Sequence, residues 1–229
     1  PFAEALSFNG SNAVEIADAA SLDLTSQVTV SAWISPSAIG NWNRIVAKSH
    51  TSNGSPWTMY GLLFDDASHL RQELASGGAQ NGVNGSTTVP TDGSWTFAAV
   101  TYNQTDLKVY FNGVENGSVN APSLTIDTND MPLTIAKSGY DSDYFTGGID
   151  EVRVSATARE ACWLQTEYDN QSAPGTFYLV GAEEATPPTA VSLLSFTAKG
   201  RDGSVLVEWE TGQEVRNMGF NLYRATHPT

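Results

Sequence analysis

The chain has 229 residues, enough for one large β domain or two small ones, and its 40% hydrophobic and 10% aromatic content supports a packed core and excludes wholesale disorder. Its 25 Asp and Glu outweigh 11 Lys and Arg for a formal net charge of -14, a surface that repels phosphates, disfavours nucleic acid as a partner and attracts divalent cations. The single cysteine, Cys162, excludes an intrachain disulfide, and no apolar run approaches the ~18 residues of a membrane span, so no membrane insertion is expected.

Short alternating segments split by turn signals run through most of the chain. ALSFNGSNAVEIA places two strands around Asn9-Gly10. QVTVSAWISP alternates Val28, Val30, Ala32 and Ile34 on one face, with Pro36 read as its stop. RIVAKSH follows, then an Asn53-Gly54 turn, then WTMYGLLFDD. SWTFAAVTYN and LKVYFNGVENGS read as a hairpin pair. Asn112-Gly113 and Asn116-Gly117 are both read as hairpin dipeptides, because both central positions of a type I′ turn need φ > 0. PLTIAKSG and GGIDEVRVS close a set of about ten strands. The predicted fold class is all-β: a two-sheet antiparallel jelly-roll sandwich with one short C-terminal helix.

That helix is ATAREACWLQTEY, with Ala161, Leu164 and Tyr168 on one face. Thr157 is the expected N-cap and Glu160 completes a capping box. Cys162 is expected as a small buried or half-buried side chain rather than a reactive thiol. Residues 171–188 turn to Pro, Gly, Ser and Ala, the composition of a linker. AVSLLSFTAKG, SVLVEWETG and GFNLYRAT then predict a few strands of an incomplete second β-sandwich over residues 189–229. The abrupt opening at Pro1 is read as a mature or excised piece. Six Asn-x-Ser/Thr sites, beginning at Asn9, are mostly turn chemistry and would carry glycan only in a suitable host.

Asp150-Glu151 interrupts a strand that otherwise reads as buried, and three roles are open: catalytic acids, metal ligands, or a strand edge facing water. Adjacent strand residues point to opposite faces, so the two cannot act together on one bond. Sugar recognition needs flat aromatic faces for the apolar side of a pyranose and carboxylates or amides for its hydroxyls. Trp42, Trp57, Tyr140 and Tyr144, with Asp141 and Asp143 between the tyrosines, supply those groups in or beside predicted loops. Simple packing is the competing role for each aromatic. Asp141 and Asp143 also resemble the start of a calcium loop, without the downstream Gly and Glu of an EF-hand. Trp33, Trp95 and Trp209 alternate with apolar strand residues and are expected in the core. The three histidines, His50, His69 and His227, have no metal-ligand spacing.

LSFNGSNAVEIADAASLDLTSQVTVSAWISP, RIVAKS, SWTFAAVTYN, LKVYFNG and FTGGIDEVRVSATARE occur in that order. Together they resemble the laminin-G-like, concanavalin A-like jelly-roll modules of bacterial extracellular proteins. The resemblance covers about residues 3–170 of a predicted domain spanning residues 1–170, and the last segment resembles the opening strands of a fibronectin-type-III-like domain. It implies a non-catalytic extracellular or cell-surface bacterial module, carbohydrate-binding or adhesive, with a glycan or cell-surface polysaccharide as partner. The alternative is a structural or filament-forming subunit that self-associates by completing a neighbouring copy with its C-terminal strands. The resemblance also implies a structural calcium where the first strand meets the last, with Asp150 as carboxylate and Asn9 and Asn12 as amide or backbone ligands. Laminarinase-type jelly-roll glycosidases carry Glu-x-Asp-x-x-Glu. The one comparable stretch here, Glu167-Tyr168-Asp169, has Ser172 in place of the second Glu, so no enzyme is expected.

Overall fold

The computed structural model describes residues 4–52, 54–139, 143–178, 191–214, 219–220 and 222. Two compact units divide the chain, Pro1–Tyr178 and Leu179–Thr229. The first unit is the sandwich. Its strands are β1 (Leu6–Asn9), β2 (Val14–Ile16), β3 (Val28–Ala38), β4 (Arg44–Ser49), β5 (Thr58–Phe64), β6 (His69–Ser76), β7 (Ala79–Thr88), β8 (Thr96–Tyr102), β9 (Asp106–Phe111), β10 (Val114–Asn120), β11 (Leu133–Ile135) and β12 (Thr146–Ser155), followed by α1 (Ala161–Ser172). They form two six-stranded sheets, ordered β1-β12-β3-β8-β9-β10 and β2-β11-β4-β5-β6-β7. Every pairing within them is antiparallel, and the first and last strands are adjacent. This is the predicted all-β jelly roll.

The core lies between the sheets, and the period-2 alternation of β3 accounts for its membership. Val28, Val30, Ala32 and Ile34 face inward onto Ile45, Leu62, Leu70 and Leu74 of the other sheet. Phe145 bridges the two halves of this layer, stacked on Phe64 at 6.1 Å and edge-on to Phe8 at 6.4 Å. Pro36 does not stop β3. It lies beyond the last β3–β8 pair, Ile34–Thr96, where β3 has an open side that tolerates proline.

Further readings are corrected by the fold. The β6–β7 hairpin is an addition to the predicted strands. It turns at Gly77-Gly78, both in the left-handed region at φ 59° and 75°, as a two-residue hairpin loop requires. Asn112-Gly113 is the expected hairpin turn, but Asn116-Gly117 is not a turn at all. It sits at a bulge within β10, where the Asn116 side chain accepts from the Ser86 and Thr87 amides of β7. A Cβ on Gly117 would lie 2.2 Å from the Asn84 carbonyl oxygen, so its glycine serves close approach of two strands.

Asp150-Glu151 is a third kind of feature, a β-bulge. β12 pairs Asp150 with Trp33 and Arg153 with Ser31, leaving one extra residue on β12. Glu151 takes up the irregularity at φ 51°, and the Asp150 carboxylate accepts its backbone N–H at 2.8 Å.

The helix begins three residues later than its sequence signal. Glu160 is the N-cap residue and makes no side-chain cap bond. Thr29 is the reason: its hydroxyl donates to the Thr157 carbonyl at 2.7 Å and accepts from the Arg159 amide at 2.8 Å, tethering the approach to the helix against β3. Leu164 and Tyr168 pack as expected, on Trp33, Phe97 and Tyr110, whereas Ala161 and Cys162 are exposed. Trp33 is therefore buried under α1, on the outer side of its sheet. Arg153 of β12 pairs with both Glu151 and Glu167 of α1.

Burial raises the Glu167 carboxyl above the usual glutamate range, against the opposing pull of Arg153 and a hydrogen bond from Gln171, with Glu151 adding to the rise. The folded state thus holds this proton more tightly than the unfolded chain does. Its contribution to stability is full below the ordinary glutamate pKa and is lost as pH rises through the raised folded value. Melting temperatures measured across the mildly acidic range should fall over that window in the wild type. Glu167→Gln should flatten the fall, and an unchanged slope would refute this origin.

The second unit contains a hairpin of β13 (Val191–Arg201) and β14 (Ser204–Glu214). Leu193, Phe196, Val205 and Trp209 are exposed on it, so Trp209 is not a core residue. Most of the third predicted strand, and residues 179–188 of the predicted linker, lie outside the described residues; residues 171 and 172 belong to α1.

Candidate ligand-binding site

A cleft of about 450 Å³ opens on the outward side of the β4–β7 sheet. Its rim is aromatic. Trp42 is presented by the β3–β4 loop, where the Asn43 side chain accepts the Gly40 amide and Trp42 itself adopts φ 64°. Trp57 enters β5 held from both backbone sides: its amide donates to Gln80 at 2.7 Å and its carbonyl accepts from His50 at 3.2 Å. Both indoles are 38% exposed, an unusual state for two tryptophans beside one cleft.

The floor is a buried ionic network. Alternation along β6 points Leu70, Gln72 and Leu74 inward and leaves Arg71 and Glu73 on the outer face. The Glu73 carboxylate accepts from Arg71 Nε at 3.1 Å and from the Thr58 hydroxyl at 3.1 Å, and Arg44 approaches it at 3.7 Å. Arg44 is only 4% exposed; it donates to the Trp42 carbonyl at 2.8 Å, and its Nε has no partner. The Arg71 guanidinium lies 5.4 Å from the centre of the Trp42 ring, a cation–π distance that fixes the indole's orientation. Gly82 on β7 makes room for it, since a Cβ there would fall 2.6 Å from the Arg71 guanidinium. Gln80 and Asp143 complete the lining, and the Asp143 carbonyl accepts the Arg44 amide at 3.2 Å.

Trp42, Trp57 and Asp143 are thus brought together from three separate segments. Tyr144 is not among the lining residues, and Tyr140 and Asp141 lie outside the described residues. Arg44, Arg71, Glu73 and Gln80 were not legible as site residues. The available signal was Gly77-Gly78, which marks the hairpin carrying three of them.

The expected calcium ligands do not converge. Asn9 lies opposite Thr146, whereas Asp150 lies one residue past the Leu6–Ile149 pair, an offset of roughly 13 Å along the strand. Their oxygens are also engaged locally. Asn9 Oδ1 accepts from the Ser11 amide and hydroxyl, Asn12 Oδ1 from the Asn9 amide, and Asp150 Oδ1 from the Glu151 amide. These residues do not fit a shared cation, and among the described residues no group of three or more His, Cys, Asp or Glu side chains is placed to hold one.

The sequence profile of the Concanavalin A-like lectin/glucanases superfamily matches residues 8–165. The chain belongs to this superfamily. Several solved structures superpose on it at low sequence identity. The Ruminococcus gnavus IT-sialidase CBM40, solved with alpha2,6 sialyllactose, gives a TM-score of 0.60 at 14% identity, covering 71% of this chain and 95% of that one. A putative carbohydrate binding protein from Bacteroides ovatus gives 0.57 at 20% identity, covering 93% of this chain and 61% of the other. The binding domain of Paraclostridial Mosquitocidal Protein 1 gives 0.57 at 15% identity over 74% of this chain, which spans 46% of that protein. At such identities the likeness is one of fold. No curated protein matches the sequence.

Proposed function

We propose that this concanavalin A-like chain is a non-catalytic carbohydrate-binding module of an extracellular or cell-surface bacterial protein, and that its ligand site is the Trp42–Trp57 cleft. The observation that carries this reading is the pair of half-exposed indoles rimming a floor of fixed hydrogen-bonding groups. The indole faces match the apolar side of a pyranose, and Gln80, Asp143 and Arg71 face its hydroxyls. Glu73 is engaged by Thr58 and Arg71 and serves to set the arginines rather than to transfer protons. Support of a second kind comes from the fold relatives, which include a CBM40 solved with a sialyllactose and a putative carbohydrate binding protein.

The test is a glycan array probed with the full chain, followed by calorimetry on the best ligand. Trp42→Ala and Trp57→Ala should each weaken binding at least tenfold, as loss of a central aromatic anchor does, while leaving the melting temperature nearly unchanged. Retention of no glycan, or wild-type affinity in both variants, would sink the assignment.

A further inference from the structure

A groove of about 710 Å³ separates α1 from the outward face of β3 and β12. Thr29 and Ser31 line it, and they alternate with the inward-facing Val28, Val30 and Ala32. The groove therefore opens on the opposite outer side of the sandwich from the tryptophan cleft. Its size falls in the range of small-molecule sites.

Four features distinguish it from a plain helix-packing seam. Glu167 is 8% exposed; its Oε1 takes Arg153 and Gln171, while its Oε2 is buried with no hydrogen-bond partner. Native interiors rarely leave a carboxylate oxygen so. The adjoining wall is the β12 bulge, with Glu151 held at φ 51°, and backbone outliers of this kind concentrate at ligand sites. Trp163 is 39% exposed at the groove, with the Arg159 guanidinium 4.6 Å from its ring centre. Arg153 bridges Glu167 and Glu151 and is itself 42% exposed, so it covers the orphan carboxylate from the solvent side.

We infer that this groove is a second ligand site, independent of the tryptophan cleft, and that it takes a neutral polyhydroxylated ligand such as a sugar residue. The charges select this class. Arg153 and Arg159 balance Glu151 and Glu167, so no net charge is left for an ionic partner. An anion would meet the unpaired Glu167 oxygen, and a cation would meet two guanidiniums. A hydroxyl suits both, because it donates to Glu167 Oε2 and accepts from a guanidinium or from the Asn170 and Gln171 amides. Entry requires Arg153 to swing toward Glu151, with which it is already paired. Trp163 supplies the apolar wall. Two sites on opposite outer faces would let one chain bridge two sugar strands.

The experiment is an NMR titration of the ¹⁵N-labelled full chain and of its Trp42→Ala/Trp57→Ala variant, in which the first cleft is disabled. The probes are maltotetraose, cellotetraose, xylotetraose and mannotetraose at millimolar concentration. At least one should shift the Asn170 and Gln171 side-chain amides saturably in both proteins. Glu167→Gln and Trp163→Ala should each weaken that response at least tenfold. Trp163→Ala alters an exposed side chain and decides the matter if Glu167→Gln fails to fold. The inference is overturned if no probe shifts these amides, or if the response survives Trp163→Ala unchanged. Failure of the tryptophan cleft to bind glycan would leave this result standing, since the two are read in separate variants.

Discussion

Glu73→Ala will destabilise the fold by about 3–5 kcal/mol, the usual cost of removing one partner from a buried ionic cluster. Glu73 is 3% exposed and answers Arg71, Thr58 and the nearly fully buried Arg44. Without it the Arg44 charge stays in a poor solvent and loses the carboxylate that approaches it at 3.7 Å, and Arg44 Nε is already unpartnered. Urea unfolding monitored by tryptophan fluorescence measures the loss. A second variant isolates the cause. Arg44→Met combined with Glu73→Leu removes both charges and should recover a large part of the loss, because the desolvation penalty goes with them. A double variant no more stable than Glu73→Ala would show that the network contributes through shape alone. A loss below about 1 kcal/mol in the single variant would place Glu73 among ordinary surface pairs.

Trp33→Ala will cost a comparable ~3–5 kcal/mol and will release α1. Trp33 is 2% exposed, lies 5.6 Å from Tyr168 in a stacked arrangement and 5.5 Å from Phe97, and donates its indole N–H to Gln171. Leu164 and Tyr168 of the helix pack into this cluster. A twelve-residue helix is marginal by itself in water and depends on such docking. Hydrogen exchange should show protection lost over 161–172 while the inter-sheet core stays protected. Trp33→Phe keeps an aromatic ring in the cluster and loses the donor and part of the ring volume, so it should fall short of the alanine effect. Equal protection of the helix in Trp33→Ala would refute this account of its docking.

The strands that were legible share one property: their inward faces are continuous apolar series, such as Val28, Val30, Ala32 and Ile34 in β3. β6 and β7 escaped because their pattern is diluted. Gln72 stands in an inward position, where its side-chain oxygen accepts the Lys108 amide across the sandwich at 3.0 Å. Arg71 and Glu73 flank it, and β7 is mostly Asn, Gly, Ser and Thr. The omission had a consequence for function, since Arg71, Glu73 and Gln80 form much of the cleft floor. Trp42, Trp57 and Asp143 were identifiable as exposed-loop chemistry, because aromatic residues beside Gly, Asn and Pro turns have no strand face to occupy.

The amino-acid sequence determined by itself what depends on neighbours along the chain: the two-sheet class, the inward face of each apolar strand, the Asn112-Gly113 turn and the helical face of Leu164 and Tyr168. Period and turn chemistry are local, so they are written in consecutive residues. The tertiary structure decided what depends on partners far away in sequence. Thr29 delays the helix by holding Thr157 and Arg159. Asn116-Gly117 becomes a contact with β7 instead of a turn. Asp150-Glu151 becomes a bulge because β12 must match β3, and the same register separates Asp150 from Asn9. The cleft exists only because β4, β5 and β6 lie side by side and bring Arg44, Thr58 and Glu73 together. A pairing between strands is a property of register, and register is set by the packing of the whole sheet rather than by any one of its segments.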